Sequence, residues 1–292
     1  MENFFEKKLF YLIPIICITL ILIIFFYQKT TDTIEPEKFT ATWESKKLNY
    51  KKLHNFSTGE NQKIAIIDSG VAQDQSTNLI DNINLSNSSQ RFDENGHGTM
   101  MYSLIKGSEK RVGICPGCEI LVIKIMNNDE SINPNTIVKA LDIAIKKNVD
   151  IINFSLGSYN QNKMVKKALE KAIKKNIVIV ASAGDYGTSE TLFPSNMEKV
   201  ISVGAIDKND VIWKNSNAKN KVDINAPGVD VTVRDTNNDE FTSSGTSQAT
   251  AIISGYIALL KEQQTNISIE QIKSILNKIS EKEIDYIEPF KK

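Results

Sequence analysis

The run Lys63-Ile64-Ala65-Ile66-Ile67-Asp68, closed by Ser69-Gly70, decides how the rest of the chain is read. It is short, rich in isoleucine and bounded by a turn former, which suits a strand buried on both faces in a parallel sheet. Residues 119–125 (EILVIKI) have the same character. The apolar residues of 135–148 (NTIVKALDIAIKKN) then take helical spacing, and 149–156 (VDIINFSL) return to a strand. The alternation continues with an amphipathic helix over 164–176 (MVKKALEKAIKKN) and strands over 177–183 (IVIVASA) and 199–206 (KVISVGAI). Strand and helix in turn predict a mainly parallel sheet covered by helices on both faces, a three-layer α/β domain. In such open sheets, sites lie at the carboxyl ends of the strands. Residues 244–264 are apolar through their middle and predict a buried helix entered by a Gly-Thr-Ser turn. A last helix over 268–280 takes Ser268 as its cap.

Composition points to a folded domain, since 41% apolar and 24% charged residues can supply a core and a solvated surface. Lys plus Arg equals Asp plus Glu at 35 each, so there is no basic excess of the kind that marks a nucleic-acid partner. Oligomeric state is not legible in the sequence.

One segment departs from this average. Residues 9–27 (LFYLIPIICITLILIIFFY) carry no formal charge over a length that can cross a bilayer core, so an N-terminal transmembrane helix is expected. A cleaved signal peptide would have a shorter apolar region ending in small residues, whereas this run exits through FFYQKTTD. The expected organisation is therefore a short tail (1–8), a membrane anchor (9–27), a linker (28–40), a folded domain (41–282) and a C-terminal tail (283–292). Lysines flank the run on both sides, Lys7 and Lys8 before it and Lys29 and Lys38 after it, so the charge rule does not orient it. Cys17 reads as an apolar filler within the run. Cys115 and Cys118, in Cys-Pro-Gly-Cys, are too few thiols for a four-thiolate zinc site. The preferred reading is a small loop disulfide in an oxidising compartment, with a thioredoxin-like redox pair as the alternative.

Three polar residues stand at element ends where packing alone gives them no reason to be. Asp68 closes the first strand, His97 lies between two glycines in Asn95-Gly96-His97-Gly98-Thr99, and Ser247 enters the buried helix in Ser244-Gly245-Thr246-Ser247. Acyl transfer needs a hydroxyl nucleophile, a base of near-neutral pKa and a carboxylate that orients the base. Taken singly, each residue also reads as a turn former or a helix cap.

Together these segments resemble the subtilisin-like serine proteases, from about Trp43 to the last helix. IAIIDSGV resembles that family's aspartate strand, DENGHGT its histidine motif and SSGTSQA its serine motif. VDIINFSLGS resembles the strand lining the substrate cleft, IVIVASAGD the oxyanion strand, and INAPGV the segment before the serine loop. The resemblance implies a subtilisin-like three-layer fold and a serine endopeptidase with Asp68, His97 and Ser247 as its triad. It also implies that Ser155, Leu156 and Gly157 form one wall of the specificity pocket and Ser182, Ala183 and Gly184 the other. The backbones of both walls would pair with an extended peptide or protein substrate. Leu192 would reach the pocket floor, where many relatives have glycine. No cofactor is implied.

Five features depart from the family pattern. Asp185 ends the oxyanion strand where asparagine is usual, and an ionised carboxylate can only accept hydrogen bonds. It can donate only when protonated, a form favoured by negative charge developing nearby and by burial under substrate. The alternative reading is therefore a weakly active or inactive peptide-binding pseudoprotease. About forty residues separate the apolar run from Asp68, too few for the folding prodomain common in the family. Between His97 and Gly113 the stretch KGSEKRV offers a single carboxylate, Glu109, so no calcium site is expected there and no metal is assigned. Gln248 stands where methionine is common, and Ala251 where proline usually lies.

Overall fold

The computed structural model describes residues 41–127 and 132–291. The tail, apolar run and linker expected over 1–40 lie outside the described residues. Among the described residues no helix is long and apolar enough to cross a membrane.

The domain opens with two short helices, α1 (Trp43–Leu48) and α2 (Tyr50–Leu53). The predicted strands follow as β1 (Lys63–Asp68), β3 (Glu119–Lys124), β4 (Ile151–Phe154), β5 (Val178–Ser182) and β6 (Ile201–Ile206). Two further strands, β2 (Leu79–Asn84) and β7 (Ile224–Pro227), complete a parallel sheet of order β2-β3-β1-β4-β5-β6-β7. Both are edge strands that sequence patterning missed. β2 (LIDNIN) is half-buried and mixes polar with apolar residues, while β7 ends in Pro227, which only an edge strand tolerates. A separate hairpin, β8 (Val231–Arg234) and β9 (Glu240–Ser243), is antiparallel.

The alternation within β1 sends its side chains to two cores. Ile64 and Ile66 pack with Met101 and Ile105 of α3 (His97–Ile105) and with Ile253 and Ile257 of α6 (Thr246–Gln263). Ala65 and Ile67 face Leu141 and Ala144 of α4 (Pro134–Lys146) and Leu169 of α5 (Lys163–Ile173). Each fully buried isoleucine or leucine contributes about 1.5–3 kcal/mol, so these paired layers hold β1 in the middle of the molecule. From β1 the chain lays β2 and β3 to one side and β4 to β7 to the other. Open α/β sheets bind ligands at such a reversal, here at the carboxyl ends of β1 and β4.

α6 is the axis of one layer. From Thr246 to Lys261 every residue except Ser247 is buried. The final helix, α7 (Ile269–Ser280), starts with a capping box in which Ser268 and Gln271 satisfy each other's backbone N–H. Residues 283–291, set apart in the sequence as a tail, instead pack into the domain. Tyr286, Ile287 and Phe290 are buried, and the Tyr256 hydroxyl of α6 donates to the Tyr286 carbonyl at 2.8 Å. The apolar residues there are too few and too scattered to show a period, so only the packing reveals them.

Candidate active site

Asp68 ends β1 with its side chain fully buried. Its Oδ1 accepts from the Ser69 N–H at 2.7 Å and from His97 Nδ1 at 2.8 Å, and its Oδ2 lies 3.0 Å from the same nitrogen. A carboxylate only accepts, so Nδ1 carries the proton and neutral His97 presents Nε2 as its acceptor.

His97 is the first residue of α3. The turn before it depends on glycine: Gly96 has φ 91°, and a Cβ on Gly98 would lie 2.2 Å from the Gly70 carbonyl oxygen. Asp93 builds this turn, a role that the sequence did not reveal. Its Oδ1 accepts from the N–H groups of Asn95 and Gly96, and its Oδ2 from the N–H and hydroxyl of Thr99. The loop carrying Asp93 is anchored in turn by Lys124, a fully buried lysine of β3. Its Nζ donates to the carbonyls of Gln90 and Phe92 and to Glu94 Oε2 at 2.7 Å. Burial works against a charged imidazole at His97, whose side chain is 23% exposed, but the carboxylates of Asp68, Asp93 and Asp185 outweigh it. His97 is thus held above the ordinary histidine value of 6.5.

Ser247 lies in the first turn of α6. Its hydroxyl donates to the Ser155 carbonyl at 3.2 Å, and the Ser155 hydroxyl donates back to the Ser247 carbonyl at 3.2 Å. Ser155 is itself held by the Asn153 side-chain amide, whose oxygen accepts from Ser254 of α6. The end of β4 and the start of α6 are therefore fastened together. The Ser247 N–H belongs to the first helical turn, where backbone donors have no partner within the helix.

Asp185 reaches the same turn. Its Oδ1 accepts from the Thr246 N–H at 2.9 Å and from the Thr246 hydroxyl at 2.6 Å, while its Oδ2 would lie 2.9 Å from a Cβ on Gly245. The Thr246 oxygen also accepts from the Gly184 N–H at 3.1 Å. The Asp185 charge also favours the protonated form of His97, while its Oδ1 holds Thr246, the residue before Ser247.

The two expected pocket walls differ in their backbones. Ala183 donates to Val203 and accepts from Leu192, and Gly184 donates to Thr246 and accepts from Asn217. These groups are already used within the fold, so the Ser182–Gly184 wall offers an extended chain fewer free backbone partners. Among the described residues the N–H and C=O of Gly157 have no partner, which leaves the Ser155–Gly157 wall as the free edge. Leu192 does lie between the walls, 2.8 Å from where a Cβ on either Gly157 or Gly184 would stand. Beyond the Gly157 wall is an apolar cavity of about 420 Å³, lined in part by Ile137, Leu156, Val165 and Phe193. The larger cavity of about 970 Å³, near Lys47, Asp210 and Tyr286, contains none of the residues described above.

Cys115 and Cys118 form a disulfide with a Cα–Cα distance of 5.4 Å, within the usual range. Both are buried, and Lys106 Nζ donates to the carbonyls of Pro116 and Cys118 across the loop. Burial lowers the Lys106 ammonium from its ordinary value.

Residues 59–286 match the Subtilase family. The chain is 28% identical to a thermostable alkaline protease of Halalkalibacterium halodurans over 243 residues, covering 82% of this chain and 67% of the relative. It is 30% identical to subtilisin DY of Bacillus licheniformis over 228 residues, 75% of this chain and 83% of the relative. It is 33% identical to an intracellular serine protease of Paenibacillus polymyxa over 233 residues, 74% and 71% respectively.

Proposed function

The chain belongs to the subtilase family of serine endopeptidases, and from that premise we propose that Asp68, His97 and Ser247 hydrolyse peptide bonds through an acyl-enzyme. The observation that carries this reading is the buried Asp68 carboxylate bound to His97 Nδ1 at 2.8 Å, which leaves Nε2 free to act as a base. Rotation of the Ser247 side chain away from the Ser155 carbonyl releases its hydroxyl. Ser247 Oγ attacks the scissile carbonyl carbon while Nε2 takes its proton. The resulting oxyanion is met by the Ser247 N–H at the positive end of α6. Collapse breaks the C–N bond, and the imidazolium returns its proton to the leaving amine. Water, deprotonated by His97, then cleaves the acyl ester and frees Ser247. Gly157 supplies the open backbone edge along which an extended substrate is held.

The direct test is hydrolysis of denatured casein by the wild type, Ser247→Ala and His97→Ala. Loss of at least 1,000-fold in both variants is expected, on the order of what triad removal costs in this family. Retained hydrolysis in either variant would overturn the assignment. The pseudoprotease reading is favoured by the Asp185 carboxylate, which stands where a donor is needed and repels developing negative charge. If the wild type binds unfolded peptide but does not cleave it, that reading prevails.

We further propose that residues 9–27 anchor the enzyme in a bacterial cell membrane as a single span, with the catalytic domain on the extracytoplasmic side and no folding prodomain between span and domain. The uncharged run and the Cys115–Cys118 disulfide support this, since disulfides persist in oxidising compartments. One relative bears the name intracellular, so family membership does not choose the side. Rapid thiol trapping in intact cells checks it: blocked thiols at both cysteines fit an extracytoplasmic domain, and free thiols place it in the cytoplasm.

A further inference from the structure

Resting on the endopeptidase reading above, we propose that Leu192 fills the slot between the two pocket walls and confines cleavage to bonds that follow a small residue: glycine, alanine or serine. Any side chain entering between Gly157 and Gly184 meets the isobutyl group of Leu192. A Cβ on Gly157 would lie 2.8 Å from Leu192 Cδ1 and 2.9 Å from its Cβ, and one on Gly184 would lie 2.8 Å from both Cδ1 and Cγ. A Cβ on Gly157 would thus meet Leu192 first, whereas one on Gly184 would meet Asn217 Nδ2 at 2.6 Å as well as Leu192, at a φ of 106° that other residues rarely adopt. A leucyl or benzyl group from a substrate would compete with Leu192 for the same volume.

Leu192 has no easy way out of the slot. It is buried, its N–H donates to the Ala183 carbonyl on one wall, and its neighbour Phe193 exchanges two hydrogen bonds of 2.9 Å with Ser158 on the other. The segment is stitched to both sides at once. A second feature links the two walls. Tyr159 and Tyr186 each lie two residues beyond one of the two glycines, one on each wall, and their rings meet with centroids 5.5 Å apart. Both rings are mostly exposed, at 64% and 67%, so burial does not explain the pair. It bridges the walls and resists their separation.

The test uses the full-length protein and a set of peptides differing only at the residue whose carbonyl is attacked: Gly, Ala, Ser, Leu and Phe. For the wild type, kcat/KM for alanine is expected to exceed that for phenylalanine at least tenfold. Leu192→Gly is expected to move the ratio toward phenylalanine by at least tenfold, and Leu192→Ala, which keeps more of the packing, by a smaller factor in the same direction. Alanine substitution of both tyrosines is expected to relax discrimination against leucine, and less than either Leu192 variant does. A wild type that cleaves after phenylalanine as well as after alanine overturns the proposal. So does an unchanged ratio in Leu192→Ala that melts within a few degrees of the wild type. Fluorophosphonate labelling separates the two levels: labelled enzyme with the wrong ratios sinks the slot alone, whereas no labelling and no cleavage of any peptide sinks the endopeptidase reading beneath it.

Discussion

At Asp185 two demands on one carboxylate conflict. Its Oδ1 ties down the start of α6 through Thr246, while the proposed acyl transfer needs a hydrogen-bond donor for its developing oxyanion, which an ionised carboxylate cannot be. Asparagine would keep the acceptor at Oδ1 and place an N–H donor at the other position. In subtilisin, losing such a donor costs about 100- to 1,000-fold in turnover, so Asp185→Asn is expected to raise kcat at neutral pH. A tenfold fall would contradict the view of Asp185 as a handicap. The substitution has a second signature. His97 must be neutral to act as a base, so activity falls as pH drops through its raised pKa, above 6.5. Asp185 contributes to that elevation, so its neutralisation should move the acidic limb of kcat/KM to lower pH. An unmoved limb would mean that its charge does not reach His97.

At the scale of elements, the site depends on how α3 and α6 begin. Asp93 satisfies four donors at the first turn of α3, and a lost buried bond to a charged acceptor costs about 1.5–3 kcal/mol. Asp93→Ala should therefore lower both stability and kcat/KM, and should shift the acidic limb downward, which a purely structural defect would leave in place. Asp93→Asn should recover part of the stability. The sequence made β1, β3, β4, β5 and β6 legible because central parallel strands are apolar on both faces. It did not show β2 or β7, whose exposed edges permit polar residues and proline. Asp68, His97 and Ser247 stood out in the sequence because each is a polar residue at an element end within two residues of a glycine. Asp93, Asn153 and Thr246 were not, because a loop or strand polar residue shows its partners only in three dimensions. Lys124 carried a weak signal, a charge inside the run EILVIKI, whose meaning is the loop it anchors.

For the whole molecule, the packed unit runs from Ala41 to the C terminus, including residues 283–291. A chain beginning at Ala41 should be soluble and keep the peptidase activity, whereas the full chain should sediment with membranes. Full-length protein that stays in the aqueous fraction would contradict the anchor. The Cys115–Cys118 disulfide closes a very short loop, for which chain-entropy arguments give about 2 kcal/mol. Reduction should accordingly lower Tm by roughly 4–8 °C for a domain of this size. Activation of Ser247 as a nucleophile can be read by fluorophosphonate treatment followed by peptide mass mapping. One stoichiometric adduct is expected on the peptide containing Ser247, formed faster as pH rises through the His97 pKa and absent in Ser247→Ala. No adduct, or one on another serine at the same rate in that variant, would contradict it.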